Sequence, residues 1–254
     1  MLRSTILMLI LAATIVTASA EALKVYGPGG PLPPIKEAAE IFGKAHDVTI
    51  DVVAGPTPQW IDQAKKDADL IFSGSETMMT DFARLFEGRI DTVDVVPLYL
   101  RASAILVRPG NPGGIHGLKD LFVPGRKVLV VNGAGQNGLW EDMAGHLGDI
   151  ASVKALRANI KVFAGNSADA KKAWVDDPTL DAWIIWNIWQ VANPSLAEAV
   201  AVEPEHRIYR DTGIVLTIAG KTKPQAKAFQ NFLGSEEGAA IFAKWGWITE
   251  PARK

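Results

Sequence analysis

The chain has 254 residues, with 26 lysines and arginines against 28 acidic residues and no cysteine. This near-neutral balance leaves no basic stripe for a nucleic-acid partner, and four scattered histidines without cysteine leave no spacing typical of a metal site. We therefore expect no nucleic-acid partner, no metal and no cofactor, and a fold that is stabilised by an apolar core in place of disulfides.

The first twenty residues have the pattern of a secretory signal peptide. Arg3 precedes an apolar run at residues 6–16, and Ala-Ser-Ala at 18–20 forms a small-x-small cleavage site. The run is too short to span a bilayer, and Glu21 stands where a lipid-anchored protein would need a cysteine. We expect cleavage after Ala20 and a mature chain that is free in a bacterial periplasm.

Strand and helix signals alternate along the first part of the mature chain. Short apolar runs predict strands, and apolar residues that recur at helical spacing after each run predict helices. The predicted strands lie at 23–26, 48–53 and 69–72, and the helices that follow them start near Pro33, Pro58 and Glu76.

The same alternation begins again after a long apolar segment at 97–108. Further strands are predicted at 128–131, 160–163, 182–185 and 213–218, followed by two amphipathic helices within 224–247. Alternating strands and helices favour an α/β fold with mainly parallel sheets flanked by helices. We expect two lobes, residues 21–100 with 212–254 and residues 101–211, joined by two crossover strands near 97–108 and 205–218.

The turns that follow six of these strands are rich in glycine, serine, threonine and asparagine. In an open parallel sheet such turns share the carboxyl edge, where ligands bind. Each helix start there presents free N–H groups and a partial positive charge, so two facing lobes would form a cleft suited to a small anion or a polar zwitterion. Any single turn could instead be only a helix cap. The candidate ligand-binding residues in and beside these turns are Gly29, Gly30, Thr57, Gln59, Trp60, Ser73, Gly74, Ser75, Asn132, Gly135, Gln136, Asn137, Gly138, Asn166, Ser167 and Asn187.

The glycine-rich stretch KVLVVNGAGQNGLWEDMAG at 127–145 matches G-x-G-x-x-G between a strand and a helix, which is the pattern of a dinucleotide-binding loop. That fingerprint also needs an acidic residue about twenty positions further on, to hold the ribose hydroxyls. No Asp or Glu lies between Ile150 and Ala168. We therefore predict an anion-binding turn of the second lobe at this loop and no nicotinamide cofactor.

Two further residues are candidates for the ligand site. Arg101 lies in a predicted crossover strand, where it would clamp an anionic ligand or pair with a carboxylate. Trp186 ends the strand of the stretch WIIWNIW at 183–189, and it would either wall the cleft or pack in the core. Trp183 and Trp189 are expected to serve packing.

Catalytic patterns are weak. Ser-Gly-Ser at 73–75 lacks the flanking glycines of a nucleophile elbow, and no histidine has a neighbour that marks a base with its orienting group. We predict no catalytic residue and no enzyme activity.

The sequence resembles a type II periplasmic solute-binding protein and, more narrowly, the accessory colonization factor C (AcfC) family, which is related to molybdate- and sulfate-type binding proteins. The resemblance covers most of the mature chain. It is carried by VYGPGGP at 25–31, AGPTPQWID at 54–62, DLIFSGSE at 69–76, SAILVRPGNP at 103–112, VNGAGQNGLWED at 131–142 and DAWIIWNIWQVANP at 181–194.

The resemblance implies a monomeric Venus-flytrap protein whose cleft delivers a small anionic solute to the permease of an inner-membrane ABC importer, with a chemoreceptor as a further partner. In the oxyanion-binding relatives, serines and backbone N–H groups after the first and second strands hold the ligand oxygens. The matching positions here are Gly29, Gly30, Thr57 and Gln59, and the relatives' first-strand serine is replaced by Gly-Pro-Gly-Gly at 27–30.

Three hypotheses for function remain at this point. The leading one is non-catalytic binding of a small anion, such as sulfate, molybdate or a small carboxylate, with hinge closure between the lobes. The second is a secreted enzyme that uses the same cleft, and the third is a receptor-presenting or colonisation role in which the solute only sets lobe closure.

Overall fold

The computed structural model describes residues 21–249, and the predicted signal peptide at 1–20 lies outside them. Within the described residues, no helix is both long enough and apolar enough to cross a membrane. The strands are β1 (Leu23–Gly27), β2 (Ile50–Ala54), β3 (Leu70–Phe72), β4 (Val96–Val107), β5 (Val128–Val131), β6 (Ile160–Ala164), β7 (Ala182–Trp186), β8 (Glu198–Ala201) and β9 (Tyr209–Leu216). The α-helices are α1 (Leu32–His46), α2 (Ile61–Asp67), α3 (Glu76–Leu85), α4 (Leu139–Gly145), α5 (Ile150–Asn159), α6 (Ser167–Asp176), α7 (Ile188–Ala192), α8 (Pro224–Leu233) and α9 (Glu236–Lys244).

The strands follow the order β2-β1-β3-β9-β4-β7-β5-β6, and β8 pairs with β4. At one end, β1 runs parallel to β2 and β3, and at the other end β5 runs parallel to β6 and β7. Each group of parallel strands is followed by helices, so each lobe has the α/β layering that the alternating sequence signals predict.

Strands β4 and β9 connect the two groups. The first half of β4, Val96–Ala102, pairs antiparallel with β9, and its second half, Ser103–Val107, pairs antiparallel with β7. The partner strand β9 also pairs with β3 in the first lobe. The middle of β4 therefore lies at the junction of the lobes, and Arg101 is in this position.

A third segment reaches the same junction from the end of the described chain. The backbone N–H of Leu100 donates to the oxygen of Ile248 at 3.1 Å, and the N–H of Ile248 donates to the oxygen of Leu100 at 2.7 Å. The chain thus returns from α9, which packs against α1 in the first lobe, to the centre of β4.

Candidate functional site

A cleft lies between the lobes at the carboxyl ends of the parallel strands, and it encloses about 530 Å³ of space, part of it open to solvent. The loops after β1, β2 and β3 form one side, the loops after β5 and β6 form the other, and β4 supplies the floor. The lining residues are Pro28, Gly29, Gly30, Pro31, Gly55, Pro56, Thr57, Gly74, Met78, Arg101, Ala134, Gln136, Asn166, Ser167, Ala168 and Trp189.

Arg101 is the cationic group of this cleft. Its side chain is buried, with 4% of the residue exposed, and its Nη2 donates to the backbone oxygen of Gly74. The Nε atom is buried and has no partner among the described residues. Burial lowers the pKa of Arg101 to about 9, although Asp211 and Glu76 raise it, so the guanidinium is charged at neutral pH and its charge is poorly compensated.

Two indole rings hold this guanidinium. The Cζ atom of Arg101 lies 4.6 Å from the ring centre of Trp186 and 5.5 Å from that of Trp247. Both distances are within the range of cation–π contacts. The indoles therefore fix the guanidinium plane, while its Nη1 faces Gly30 and its Nη2 faces Gly74.

The turn between β1 and α1 contributes backbone N–H groups. Helix α1 starts at Leu32 and has prolines at its next two positions, and a proline has no N–H to donate. The donors on this side of the cleft are therefore the N–H groups of Gly29 and Gly30, which meet no backbone acceptor in the described part of the chain. Thr57 adds its hydroxyl and N–H from the turn after β2.

The second lobe faces these donors with a pair of polar side chains. Nε2 of Gln136 donates to Oγ of Ser167 at 2.7 Å. Gln136 is 5% exposed, and its Oε1 has no partner among the described residues. The side-chain oxygen of Asn166 is already used to cap α6, since it accepts from the N–H groups of Ala168 and Asp169. The unpartnered Oε1 of Gln136 is therefore the prominent polar atom of this wall.

The lobes contact each other beside the cleft. The N–H of Gly74 donates to the sulfur of Met78 at 3.4 Å, and Ser75 Oγ caps α3 by accepting from the N–H of Met78. The same hydroxyl donates to the oxygen of Gly135 at 3.4 Å, across the lobe boundary. The contact between Ser75 and Gly135 therefore connects the lobes, and neither residue lines the cleft, whereas Gly74 and Met78 do.

An ion-pair bridge reinforces that contact. Arg210 at the start of β9 pairs with Glu76 at 3.1 Å and with Asp142 at 3.6 Å. Glu76 begins α3 in the first lobe and Asp142 lies on α4 in the second. Burial and the neighbouring Glu76 raise the pKa of Asp211 to about 6, which places a titrating carboxyl next to this bridge.

The structure brings together only part of the candidate residues from the sequence. The candidates that line the cleft are Gly29, Gly30, Thr57, Gly74, Arg101, Gln136, Asn166 and Ser167. The candidates that lie outside the lining are Gln59, Trp60, Ser73, Ser75, Asn132, Gly135, Asn137, Gly138, Trp186 and Asn187.

The candidates outside the lining on the first lobe have other contacts. Gln59 is exposed, and Trp60 is buried among Tyr26 and Phe82 with its Nε1 bonded to the oxygen of Gly55. Ser73 is fully buried, and its Oγ accepts from the N–H of Gly213.

The glycine loop after β5 is mainly a tight turn. Asn132 and Asn137 point to solvent, while Gly138, with a φ of 81°, caps the seven-residue helix α4. Gly135 has a φ of 74° and meets Ser75 across the lobe boundary. Only Ala134 and Gln136 of this loop line the cleft.

The tryptophan-rich stretch divides between core and cleft. Trp183 is fully buried, as expected, and Trp186 lies behind Arg101. Asn187 uses its amide on the backbone, accepting from the N–H of Ala102 and donating to the oxygen of Gly246. Trp189, which the sequence analysis assigned to packing, also lines the cleft beside Gly30.

The cleft differs from a metal or acid–base site. Among residues 21–249, no three His, Asp or Glu side chains are grouped so as to hold a metal ion. Arg101 is the one titratable residue among the described residues that line the cleft. The arrangement offers one positive charge, glycine N–H groups, neutral polar side chains and an apolar wall from Met78 and Trp189.

Comparison with known proteins places this geometry in a family. Residues 23–248 match the family model described as Bacterial extracellular solute-binding protein. PEB3 of Campylobacter jejuni is 35% identical, and its L-phospholactate-bound crystal structure covers 90% of this chain and 100% of its own, with a TM-score of 0.85.

Two more distant proteins share the fold or part of the sequence. The sulfate-binding protein of Salmonella typhimurium is 26% identical over 219 residues, which are 70% of this chain. The chain spans only 64% of that relative's length. The periplasmic molybdate-binding protein of Azotobacter vinelandii is 16% identical, covers 90% of this chain and 100% of its own, and has a TM-score of 0.69, a likeness of fold alone.

These comparisons confirm the two-lobed, type II periplasmic binding fold that the sequence predicts. The family match extends over nearly all of the described residues. The chain therefore belongs to the family of bacterial extracellular solute-binding proteins.

Proposed function

We propose that this protein binds a small organic anion in the cleft between its lobes, in the periplasm, and delivers it to the permease of an ABC importer. The observation that carries the proposal is Arg101, a buried guanidinium with an unpartnered Nε at the floor of the cleft. Asp211 and Glu76 favour its charged form, but neither forms a direct ion pair with it among the described residues, and a buried charge with an unmet hydrogen-bond donor is unfavourable. An anionic ligand would pair with the guanidinium directly, and hydrogen bonds to charged groups contribute about 1.5–3 kcal/mol each.

The backbone around Arg101 favours an oxyanion. Gly30 lies beside its Nη1 atom and Gly29 lines the same cleft, and glycine lets a ligand approach the backbone closely. A carboxylate or phosphate could accept from the guanidinium and from the N–H groups of these glycines at once. Gln136 and Ser167 would meet the opposite end of the ligand.

The wall of the cleft favours an organic anion over a bare inorganic one. The side chain of Met78 and the indole of Trp189 offer apolar contact, which a carbon skeleton uses and a tetrahedral oxyanion does not. A relative with 35% identity, PEB3, has been crystallised with L-phospholactate. We therefore propose a small phosphorylated or carboxylated hydroxy acid as the ligand class, with sulfate and molybdate as the alternative.

The experiment is a thermal-shift and calorimetric panel on ligand-stripped protein, with L-phospholactate, lactate, sulfate, molybdate and phosphate as probes. A probe at 100 times its Kd stabilises the folded state by about 2.7 kcal/mol, which is a measurable rise in Tm. Arg101→Met should weaken binding of the preferred probe by about 30-fold or more. A flat response to every anion overturns the proposal.

A matched control is available in the second lobe. Arg157 also lies over aromatic rings, those of Trp140 and Phe163, but it is exposed and outside the cleft. Arg157→Met should leave the affinity within about twofold. If both variants weaken binding equally, the effect is one of net charge and not of the site.

A second candidate function is a ligand-dependent interaction with a chemoreceptor, in line with the proposed placement in the AcfC group. It is favoured by the bridge from Arg210 to Glu76 and Asp142, because a partner could recognise the closed pair of lobes. Titration of the receptor's ligand-binding domain with this protein, with and without the preferred anion, tests it. Equal binding in both conditions would exclude this role. We do not favour the enzyme alternative, because the matching family is one of solute-binding proteins.

A further inference from the structure

Arg101 is enclosed by residues from three separate parts of the chain. The guanidinium extends from β4, the indole of Trp186 comes from the end of β7, and the indole of Trp247 comes from the segment after α9. Both indoles are buried, with 1% and 4% of the residue exposed. The last part of the described chain therefore supports Arg101 from behind the floor of the cleft.

The choice of tryptophan at position 247 needs an explanation beyond packing. The Nε1 atoms of Trp247 and Trp186 are buried without a hydrogen-bond partner among the described residues, and a buried unpartnered N–H is unfavourable. A phenylalanine or leucine would fill apolar space without that penalty. The property that indole adds is the strongest cation–π face among the side chains, and the cation present is Arg101.

The ring of Trp247 is itself held in place. It packs edge-on against Phe242, with ring centres 5.6 Å apart, and Phe242 packs against Tyr99 at 4.7 Å. The hydroxyl of Tyr99 donates to the oxygen of Leu233 at 2.8 Å. This row of aromatic rings connects the Trp247 indole to helices α8 and α9 of the first lobe.

The backbone on each side of Trp247 is also fixed. Nδ2 of Asn187 donates to the oxygen of Gly246 at 2.6 Å, and Ile248 exchanges two backbone hydrogen bonds with Leu100. Gly246 has a φ of 83°, and a side chain there would lie 2.8 Å from Val191 of α7. The segment is therefore seated against both β4 and the second lobe, which leaves the indole little freedom.

We infer that Trp247 is a positioning residue for anion binding, which holds the guanidinium of Arg101 against Trp186 so that its remaining N–H groups point at the ligand. The inference rests on the proposed function for its effect on affinity, but the geometry that it invokes can be tested without a ligand. It predicts that Trp247 acts on binding only through Arg101.

The first test is a double-mutant cycle on calorimetric affinity, with L-phospholactate and sulfate as probes. Trp247→Leu should weaken binding about 10- to 30-fold, the range of a desolvated cation–π contact, and Trp247→Phe should recover most of it. In an Arg101→Met background, Trp247→Leu should change affinity less than about twofold. Independent, multiplying effects would overturn the inference.

The second test needs no ligand. The Nε–H of Arg101 is buried and should give a slowly exchanging ¹⁵N–¹H signal, identified by its loss in Arg101→Met. Two neighbouring indole rings should move the chemical shift of this signal away from the values of exposed arginines. In Trp247→Phe the chemical shift should return part of the way to those values. An unchanged signal in Trp247→Phe would show that the indole does not hold the guanidinium.

A neighbouring tryptophan provides the control. Trp245 donates from its Nε1 to Glu37 at 2.7 Å and forms no contact with Arg101 among its aromatic and hydrogen-bonded partners. Trp245→Phe should leave both the affinity and the Arg101 signal unchanged, and a Trp245 effect equal to that of Trp247→Phe would count against a specific role. If Arg101→Met leaves binding of both probes unchanged, the proposed function fails, whereas the NMR signal still decides the role of Trp247.

Discussion

The hydroxyl of Ser75 donates to the backbone oxygen of Gly135 at 3.4 Å, and this contact joins the first lobe to the second. The Oγ atom of Ser75 also accepts from the N–H of Met78 and thereby caps α3. One hydroxyl thus serves both the stability of a helix and the closure of the lobes. These two roles can be separated by experiment.

We expect Ser75→Ala to lower stability by about 1 kcal/mol, the typical effect of losing an N-cap, and also to shift the lobes towards an open arrangement. Ser235 caps α9 in the same way through the N–H of Gly238, and its side-chain hydrogen bonds within residues 21–249 are to Phe232 and Gly238 of the first lobe. Ser235→Ala should therefore destabilise equally while leaving the radius of gyration from small-angle X-ray scattering unchanged. Equal scattering from both variants would argue against a closure role for Ser75.

Gly135 is expected to be sensitive to any side chain. Its φ is 74°, and an added Cβ would lie 2.9 Å from Oγ of Ser75 and 3.0 Å from Cβ of Met78. Gly135→Ala should therefore obstruct lobe closure and weaken anion binding by about tenfold or more. The left-handed backbone at this position should in addition lower the free energy of unfolding by about 1–2 kcal/mol. Gly135→Val should be more severe, and calorimetric titration measures both.

Two residues of the same loop serve as controls for Gly135. Gly138 has a similar φ of 81°, but an added Cβ would meet nothing closer than 3.7 Å. Gly138→Ala should lower stability by a similar strain with little effect on affinity, and Asn137→Ala, at an exposed position, should change neither. Unchanged affinity in Gly135→Val and Asn137→Ala would show that the loop is only a turn, and equal losses of affinity in the Gly135, Gly138 and Asn137 variants would contradict a specific role for Gly135.

A negative charge on Gln136 should abolish anion binding. Gln136 is 5% exposed and lines the cleft opposite the glycine turn, so Gln136→Glu places a carboxylate next to the proposed ligand. Like-charge contacts at an interface are unfavourable by several kcal/mol, and we expect at least about 100-fold weaker binding. Gln59→Glu adds the same charge at an exposed position and should change affinity less than about threefold in the same titration. Retained binding in Gln136→Glu would remove this side chain from the site.

The pH dependence of stability should report on Asp211. Burial and Glu76 raise the pKa of Asp211 to about 6 in the folded protein, above its ordinary value of 3.8. The folded state therefore binds the proton more tightly than the unfolded state, and this contribution to stability is complete below about pH 4 and is lost as the pH rises through 6. Asp211→Asn keeps a neutral group at every pH. It should raise the Tm relative to the parent at pH 7.5 and lose that advantage at pH 4, and a constant difference across this range would contradict the assignment.

The sequence predicted elements best where burial is continuous. Strand β5 occupies the predicted residues 128–131, because an unbroken buried apolar run has few alternative structures. Strand β8 was not predicted, since its residues Glu198–Ala201 are mostly exposed and carry little apolar signal. Helix α5 was also missed, as its apolar residues do not form a clear stripe and Ile150 is 70% exposed.

Of the candidate residues, Gly29, Gly30, Gly74 and Arg101 line the cleft, whereas Gly135, Gly138 and several polar candidates do not. A serine or asparagine after a strand has the same sequence pattern whether it caps a helix or faces a ligand, and Ser75 and Asn166 both act as caps here. The sequence does not distinguish Trp189 from the buried Trp183, because both belong to the same tryptophan-rich stretch. Trp189 lies at the cleft because it is on the short helix α7, and the sequence pattern does not predict this helix.

The prolines around the first glycine turn have a consequence for the order of events in binding. Pro28 and Pro31 fix φ at their own positions on either side of Gly29 and Gly30, and two further prolines open α1. These prolines leave the turn fewer conformations to lose, so we expect the entropic penalty of ordering the backbone on ligand binding to be smaller in this turn than in the second lobe. We therefore expect the solute to dock on the first lobe before the second lobe closes over it. Amide hydrogen exchange should accordingly slow at Gln136 upon ligand binding. In the first glycine turn it should slow at the Gly29 and Gly30 N–H groups that the ligand engages, and it should change little at the neighbouring Gly27 and Leu32.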